Sequence, residues 1–340
     1  MLKKILLVLL LIISAFTLVS CDKKIDSDFH TALQEKYLAG DATKASDFSM
    51  GGEELSRPDP IHLEWKGSNN TYVITIKEKD SGEELIYDSS ETSLDVYNLK
   101  VNEEYIWYVD GKEQGEFKTP EILRNLYIDG LTNCRDIGGY KIDGGYVKQG
   151  MLFRTSRLNE NYTGEVLITE KGIEQIKALG IKTELDLRKI DETESGLEQA
   201  GITQSAVDGV NYISIPMATG GNYLQLNRKI LKDIFAILAD ENNYPIMFHC
   251  SIGTDRTGVV AFMVNALLGV SVEDLYHDYL FSNFGNIGGM RSASTIDDYI
   301  QKVSINEMPT LKENVYQYLL NAGVSEEHLN KVIEIMTEKK

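Results

Sequence analysis

The sequence predicts an α/β layered domain, a central sheet flanked by helices, preceded by a small all-β sandwich. Three observations carry this. Short alternating segments separated by turn signals fill residues 58–120. From residue 121 onward, apolar strand-like runs alternate with helical patterns, as in a layered sheet. A chain of 340 residues also exceeds the roughly 250–300 that one core encloses, so two units are expected. The 42% hydrophobic and 25% charged residues are ordinary for a globular protein. Net charge is −18, with 34 Lys and Arg against 52 Asp and Glu. Such a surface repels polyanions at long range, so no nucleic-acid partner is expected.

The elements follow in order. Lys3 and Lys4, then an apolar run over residues 5–16, read as the basic and hydrophobic parts of a signal peptide spanning residues 1–20. The run is short for a comfortable membrane span. Leu18-Val19-Ser20-Cys21 resembles the lipobox of bacterial lipoproteins. The resemblance implies lipidation at Cys21 and an extracytoplasmic protein anchored to the bacterial cell membrane. An ordinary signal peptide or an uncleaved anchor is the alternative. Residues 21–57 have few large apolar side chains and read as a tether, holding the body roughly 30–35 Å from the membrane. Phe29, Leu33 and Tyr37 fall at helical spacing within it.

Residues 58–120 contain five strand-like segments, around Leu63, Ile74, Ile86, Leu94 and Ile106, divided by Gly-Ser-Asn-Asn, Asp-Ser-Gly and Asp-Gly turns. The early Trp65, then Leu99, Tyr105 and a closing strand near Phe117 resemble a fibronectin type III-like sandwich. His62 is expected to face solvent. No catalytic cluster is visible here, so the unit is expected to space the chain or bind a protein partner. Beyond it, strands are expected at 126–128, 181–187 and 210–216. Helices are expected at 169–179, closed by Gly180, at 224–239, and from Thr257, Ser271 and Leu311.

The densest chemistry lies in His249-Cys250-Ser251-Ile252-Gly253-Thr254-Asp255-Arg256-Thr257-Gly258. An apolar run, 245–248, leads into it as a buried strand, and another, 259–264, leaves it as a helix. A loop wrapped over a helix N-terminus offers unpaired N–H groups and partial positive charge, which suits a phosphate. The peptide groups of Ser251, Ile252, Gly253, Thr254 and Asp255 form this candidate cradle, and the Arg256 fork can grip two phosphate oxygens. Cys250 is the candidate nucleophile, because the same environment lowers a thiol from its free value near ~8.5. Thr257 can donate to the sulfur, and His249 can orient the loop. The alternative is a core cysteine followed by an ordinary turn.

These residues resemble the signature of the protein tyrosine phosphatase superfamily, and further the bacterial tyrosine/lipid phosphatases whose loop reads His-Cys-x-x-Gly-Lys-Asp-Arg-Thr-Gly. Asn133-Cys134-Arg135-Asp136-Ile137-Gly138-Gly139-Tyr140, Phe153-Arg154-Thr155-Ser156, Glu184-Leu185-Asp186-Leu187-Arg188 and Asp278-Tyr279-Leu280-Phe281-Ser282-Asn283 are similar to other segments of that family. The similarity covers residues 121–340. It implies a phosphatase fold and a phosphomonoester hydrolase with a phosphocysteine intermediate, most simply a protein tyrosine phosphatase acting on a phosphorylated protein or small phosphoester. No cofactor and no metal are expected. The alternatives are a phosphoinositide phosphatase and a non-catalytic surface protein that binds phosphate or a partner.

A general acid is expected for the leaving group. Residues 215–220, about thirty before the cysteine, contain no carboxylate. Asp255 and Asp186 remain as candidates; the resemblance favours Asp255, and an ion pair with Arg135 or Arg188 is the alternative for Asp186. Thr254 stands where inositide-active members carry Lys, which tilts the expectation towards monophosphoesters; Arg154 and Arg157 remain as other sources of charge. Of three cysteines, Cys134 is read as a core residue, with a resolving role towards Cys250 as the alternative.

Overall fold

The computed structural model describes residues 25–189 and 199–339. The expected signal peptide and Cys21 fall outside the described residues, and among those described no helix is long and apolar enough to cross a membrane.

Residues 61–118 form two antiparallel sheets. β1 (Ile61–Glu64) pairs with β4 (Ser93–Val96), while β3 (Glu84–Ser89), β2 (Tyr72–Glu78), β5 (Glu104–Val109) and β6 (Lys112–Lys118) lie side by side in that order. The period-two pattern explains the packing. Ile61 and Leu63, Ile74 and Ile76, and Tyr105 and Trp107 turn inward to one cluster with Leu99. His62, on the opposite face of β1, is exposed and pairs with Asp95 at 2.7 Å.

The second unit is built on a five-stranded mixed sheet. Its strands are β7 (Arg135–Asp136), β10 (Leu152–Thr155), β11 (Thr183–Asp186), β12 (Asn211–Ser214) and β13 (Ile246–His249), in the spatial order β12-β11-β13-β10-β7. The four longer strands run parallel and β7 opposes β10. A small ribbon of β8 (Lys141–Ile142), β9 (Gly145–Val147) and β14 (Thr337–Glu338) flanks it. β13 is central and apolar on both faces, as a doubly covered strand requires. Its Ile246 and Phe248 join the larger core, whereas Met247 joins a second cluster with Phe153 and Ile176.

The helices are α1 (Ala32–Leu38), α2 (Glu170–Ala178), α3 (Tyr223–Leu226), α4 (Leu231–Leu238), α5 (Asp255–Leu268), α6 (Val272–Leu280), α7 (Ser294–Val303), α8 (Leu311–Asn321) and α9 (Glu326–Met336). Every residue of α5 from Arg256 to Leu268 is buried, the pattern of a helix enclosed on all sides. Thr169 caps α2 by accepting from the Gly172 N–H, and Gly180 follows at φ +69°. The helix expected over 224–239 is divided into α3 and α4 by a turn at 227–230. Residues 126–128 form no strand; Leu126 and Ile128 are buried as core, and only Asn125 bridges to Arg135.

The largest departure is the tether. Of residues 21–57, those from 25 onward are folded against the body. Thr31 and Gln34 close a capping box on α1. Phe29 enters the core of the two antiparallel sheets, and Tyr37, fully buried, enters the larger core. The polar residues that suggested solvation make specific bonds instead: Gln34 Nε2 donates to the carbonyls of Leu55 (2.6 Å) and Arg57 (3.0 Å). A few well-placed aromatic anchors and satisfied polar groups suffice to fix a segment with so few large apolar side chains.

Candidate active site

Cys250 follows the last residue of the central strand, and Asp255 opens α5, so the loop between them sits at the carboxyl edge of the sheet. Gly253 adopts φ +69°, and a Cβ there would lie 2.3 Å from the Thr155 carbonyl oxygen. Only glycine fits.

The loop carbonyls are all claimed from outside. His249 Nδ1 lies 3.1 Å from the Cys250 oxygen. The Ser251 oxygen accepts from Arg157 Nη1 at 3.1 Å, and the Ile252 and Gly253 oxygens accept from Asn133 Nδ2 at 3.2 and 3.0 Å. Arg154 Nη2 donates to the Gly253 and Thr254 oxygens at 2.8 and 3.3 Å. In a planar trans peptide the following N–H points opposite to its carbonyl. With the carbonyls turned to this buttress, the N–H groups that follow them turn to the other side, making an anion-binding concavity.

The buttress is held by buried charge. Arg135 Nε donates to Asp278 Oδ1 at 2.8 Å, Arg154 donates to Asp278 Oδ2, and Arg135 Nη1 bonds the Asn133 side-chain oxygen. Burial raises the Asp278 carboxyl, but Arg135 and Arg154 more than offset it and hold it below the usual range. The segments around 133, 154, 184 and 278 therefore converge behind one loop.

Cys250 is 2% exposed. Burial pushes its thiol up, yet the Arg256 guanidinium and the Thr257 hydroxyl and N–H beside the sulfur bring it below the ordinary value. The buried Thr257 hydroxyl has no other partner among the described residues. Arg256 is 5% exposed and donates from Nη2 to Ser251 Oγ at 3.2 Å. His249 Nε2 lies 2.9 Å from Glu184 Oε1. Burial lowers the imidazole, but Asp186 and Glu184 raise it overall, favouring the charged form.

Asp186 requires a correction as a candidate acid. It is fully buried and accepts from Arg188 Nε (3.0 Å to each oxygen), Arg188 Nη2 (2.7 Å) and the Tyr212 hydroxyl (2.9 Å). Burial raises its carboxyl, while His249 and Arg188 hold it below the usual range. An enclosed, ionised carboxylate can neither donate a proton nor reach a ligand. Asp255 differs: its side chain is 17% exposed, and Arg291 grips it from Nε to Oδ1 (2.8 Å) and from Nη2 to Oδ2 (3.0 Å).

Thr254 is fully buried, and its hydroxyl accepts from Asn133 Nδ2 at 3.2 Å, so its side chain faces the buttress and only its N–H is offered to the concavity. Arg154 and Arg157 likewise spend their charge behind the loop. Cys134 Sγ lies 2.9 Å from Thr155 Oγ1 in the other core cluster, and burial pushes its thiol up to about 12. Enclosure in a cluster separate from the one that holds Cys250, together with this raised thiol, favours the core reading over a resolving role.

Glu184, Asp186 and His249 are the one group among the described residues whose ligand atoms lie close enough for a metal ion. Glu184 Oε1 is bonded to His249 and the Asp186 carboxylate to Arg188, while Glu184 Oε2 is buried without a hydrogen-bond partner. Arg291 and Tyr223 escaped sequence reasoning. Tyr223 is half-buried, and burial and Asp255 raise its hydroxyl beside Cys250 and Arg256. Neither residue has a fixed spacing to the loop that would have marked it.

The model of the tyrosine phosphatase family matches residues 126–339. The chain belongs to this family. It is 26% identical over 182 residues to a tyrosine-protein phosphatase of Cupriavidus necator, covering 48% of this chain and 64% of that one. It is 26% identical over 131 residues to a tyrosine-protein phosphatase of Nostoc commune, covering 34% and 45%. The chain thus spans less than two thirds of either relative's length. Among solved structures it is similar to the core catalytic domain of the PP-IP phosphatase SIW14 from S. cerevisiae, with 18% identity, TM-score 0.31 and coverage of 47% and 90%. It is also similar to P. aeruginosa TpbA, with 16% identity, TM-score 0.33 and coverage of 54% and 91%. Residues 25–57 precede the part matched by the tyrosine phosphatase family, yet they are bonded to the segment that follows α6 within it. Gly51 N–H donates to the Asn283 oxygen at 2.9 Å, and Leu55 N–H to the Phe284 oxygen at 2.6 Å.

Proposed function

We propose that this protein is a cysteine-dependent phosphomonoester hydrolase, and specifically a protein tyrosine phosphatase. One observation carries the reading: a buried thiol, lowered by a neighbouring guanidinium, lies at the base of a loop whose carbonyls all face away from it. The names of the two curated relatives support the same activity.

The Cys250 thiolate attacks phosphorus as the bond to the leaving oxygen breaks. The loop N–H groups and the Arg256 fork hold the three equatorial oxygens. Asp255 gives its proton to the leaving oxygen, with Arg291 yielding one carboxylate oxygen so that the proton can be carried. Water then attacks the phosphocysteine, Asp255 takes the proton, and inorganic phosphate leaves with the thiolate restored. Tyr223 at the mouth offers a face to an aromatic leaving group. The buried, outward-turned position of Thr254 leaves no second cation there, which favours a monophosphoester over a phosphoinositide.

The same proposal includes export, lipidation at Cys21 and anchoring at the bacterial cell membrane, supported by the lipobox-like Leu18-Val19-Ser20-Cys21. It also treats residues 58–120 as a fibronectin type III-like module for a protein partner. The test is turnover of an aryl phosphate and a phosphotyrosine peptide by the wild type and by Cys250→Ser. Loss in the variant, with acid-quench trapping of a phosphoenzyme in the wild type, is expected. Undiminished turnover in Cys250→Ser would overturn the mechanism.

A further inference from the structure

The segment that carries Arg291 joins the turn after α6 to α7, and the Arg291 fork grips both oxygens of Asp255. A second stretch of chain lies against it. Residues 49–51 precede the two antiparallel sheets and fall outside the part matched by the family. The Gly51 carbonyl accepts from the N–H groups of Ile287 and Gly289, each at 3.1 Å. The Gly51 N–H donates to the Asn283 carbonyl at 2.9 Å, and the buried Ser49 hydroxyl donates to the same oxygen.

From this clasp to the carboxylate the path of bonds is continuous. Asn283 is fully buried, and its amide brackets the Arg291 backbone: Oδ1 accepts from the Arg291 N–H at 2.6 Å, and Nδ2 donates to the Arg291 carbonyl at 2.9 Å. The Gly289 carbonyl accepts from Arg291 Nη1 at 3.4 Å. Asn283 thus fixes the backbone of Arg291, Gly289 meets the end of its side chain, and Gly51 is bonded to both. An arginine held at both ends presents its planar fork in one orientation, and the fork sets where the carboxylate stands.

Gly51 is also the only residue type that fits. Its φ is +69°, and a Cβ there would lie 2.2 Å from the Gly289 carbonyl oxygen and 2.9 Å from Ile287 Cγ1. Any side chain at this position pushes on the same carbonyl that receives Arg291 Nη1.

We infer that residues 49–51 are a positioning element for the general acid: they fix the Arg291 segment and, through it, the Asp255 carboxylate that protonates the leaving oxygen. The inference rests on the phosphatase reading and deepens it, because chain ahead of the family's own region then takes part in the acid step. The cradle around Cys250 is braced by other residues, Asn133, Arg154 and Arg157. Displacing the clasp therefore spares attack on phosphorus and impairs proton donation.

The test is a leaving-group comparison in the full chain, read as kcat/KM, which reports the step that expels the leaving group. Of the two esters, p-nitrophenyl phosphate leaves readily, whereas phenyl phosphate needs the proton. Gly51→Ala is expected to lose about tenfold on phenyl phosphate and about twofold or less on p-nitrophenyl phosphate. Arg291→Lys keeps the charge but not the fork, and the same selective loss is expected. In an Asp255→Asn background, Gly51→Ala should cost nothing further on phenyl phosphate, since both changes act on one step. Ser49→Ala leaves the backbone conformation alone and should show the same selectivity at about threefold, so it carries the test if Gly51→Ala does not fold. Equal loss on both esters, no loss on either, or a full further loss in the Asp255→Asn background would overturn the inference. Wild-type inactivity towards p-nitrophenyl phosphate would overturn the phosphatase reading instead, and an Asp255→Asn variant without leaving-group selectivity would overturn the choice of acid.

Discussion

Cys250 and Cys134 are both buried cysteines, yet their surroundings drive them in opposite directions. Around Cys134 there are apolar side chains, the Thr155 hydroxyl and the Thr132 carbonyl, with charged groups only as minor influences, and burial raises the thiol to about 12. Around Cys250 the same burial is overturned by Arg256 and Thr257. The difference teaches that enclosure does not make a reactive cysteine. A neighbouring guanidinium, donors to the sulfur and a helix N-terminus do, and they act strongly because the site is enclosed.

The largest expected effect breaks this contrast directly. Cys250→Ser should lose phosphatase activity by several orders of magnitude, measured on an aryl phosphate. Cys134→Ala should keep turnover within a few-fold while lowering stability by about 1 kcal/mol, read from denaturant unfolding. Next, Arg256→Lys keeps the charge but loses the planar fork. A fall of roughly 10²–10³ in kcat is expected, with a higher thiol pKa in the same variant.

The two carboxylates sharpen the contrast further. Asp255→Asn should lower kcat by about 10²-fold for poor leaving groups and much less for good ones, seen in a leaving-group series. Asp186→Asn should act on the fold instead. It leaves Arg188 buried without its partner, so a loss on the order of 3 kcal/mol in unfolding free energy is expected. Among the residues that shape the loop, the smallest effect is expected for Asn133→Ala. Removing the amide that faces the Ile252 and Gly253 carbonyls should loosen the loop and lower kcat/KM by about tenfold, with KM for phosphate esters rising.

The strand-loop-helix around Cys250 was legible because its signals are local: apolar runs on either side, and glycines where the backbone turns tightly. The α/β alternation and the antiparallel strands of residues 61–118 were legible for the same reason. What escaped depends on distant partners. Asp186 and Asp255 look alike as residues, and only Arg188 two positions on, against Arg291 thirty-six positions on, separates them. Residues 25–57 read as a tether because their few apolar side chains carry no strong period. Their fixing comes from Tyr37 in a distant core and from bonds to residues 283–289, which no local pattern announces. Thr254 likewise could be placed in the loop, but not turned towards Asn133, from sequence.

The most direct test is the pH dependence of thiol alkylation. Iodoacetamide modification of Cys250, followed by peptide mass analysis with Cys134 as internal reference, should titrate at a pH below the free-thiol value of ~8.5. The rate should fall only as the pH drops through that lowered value, with Cys134 silent throughout. A Cys250 that reacts only above the ordinary thiol pKa would contradict the account at its centre.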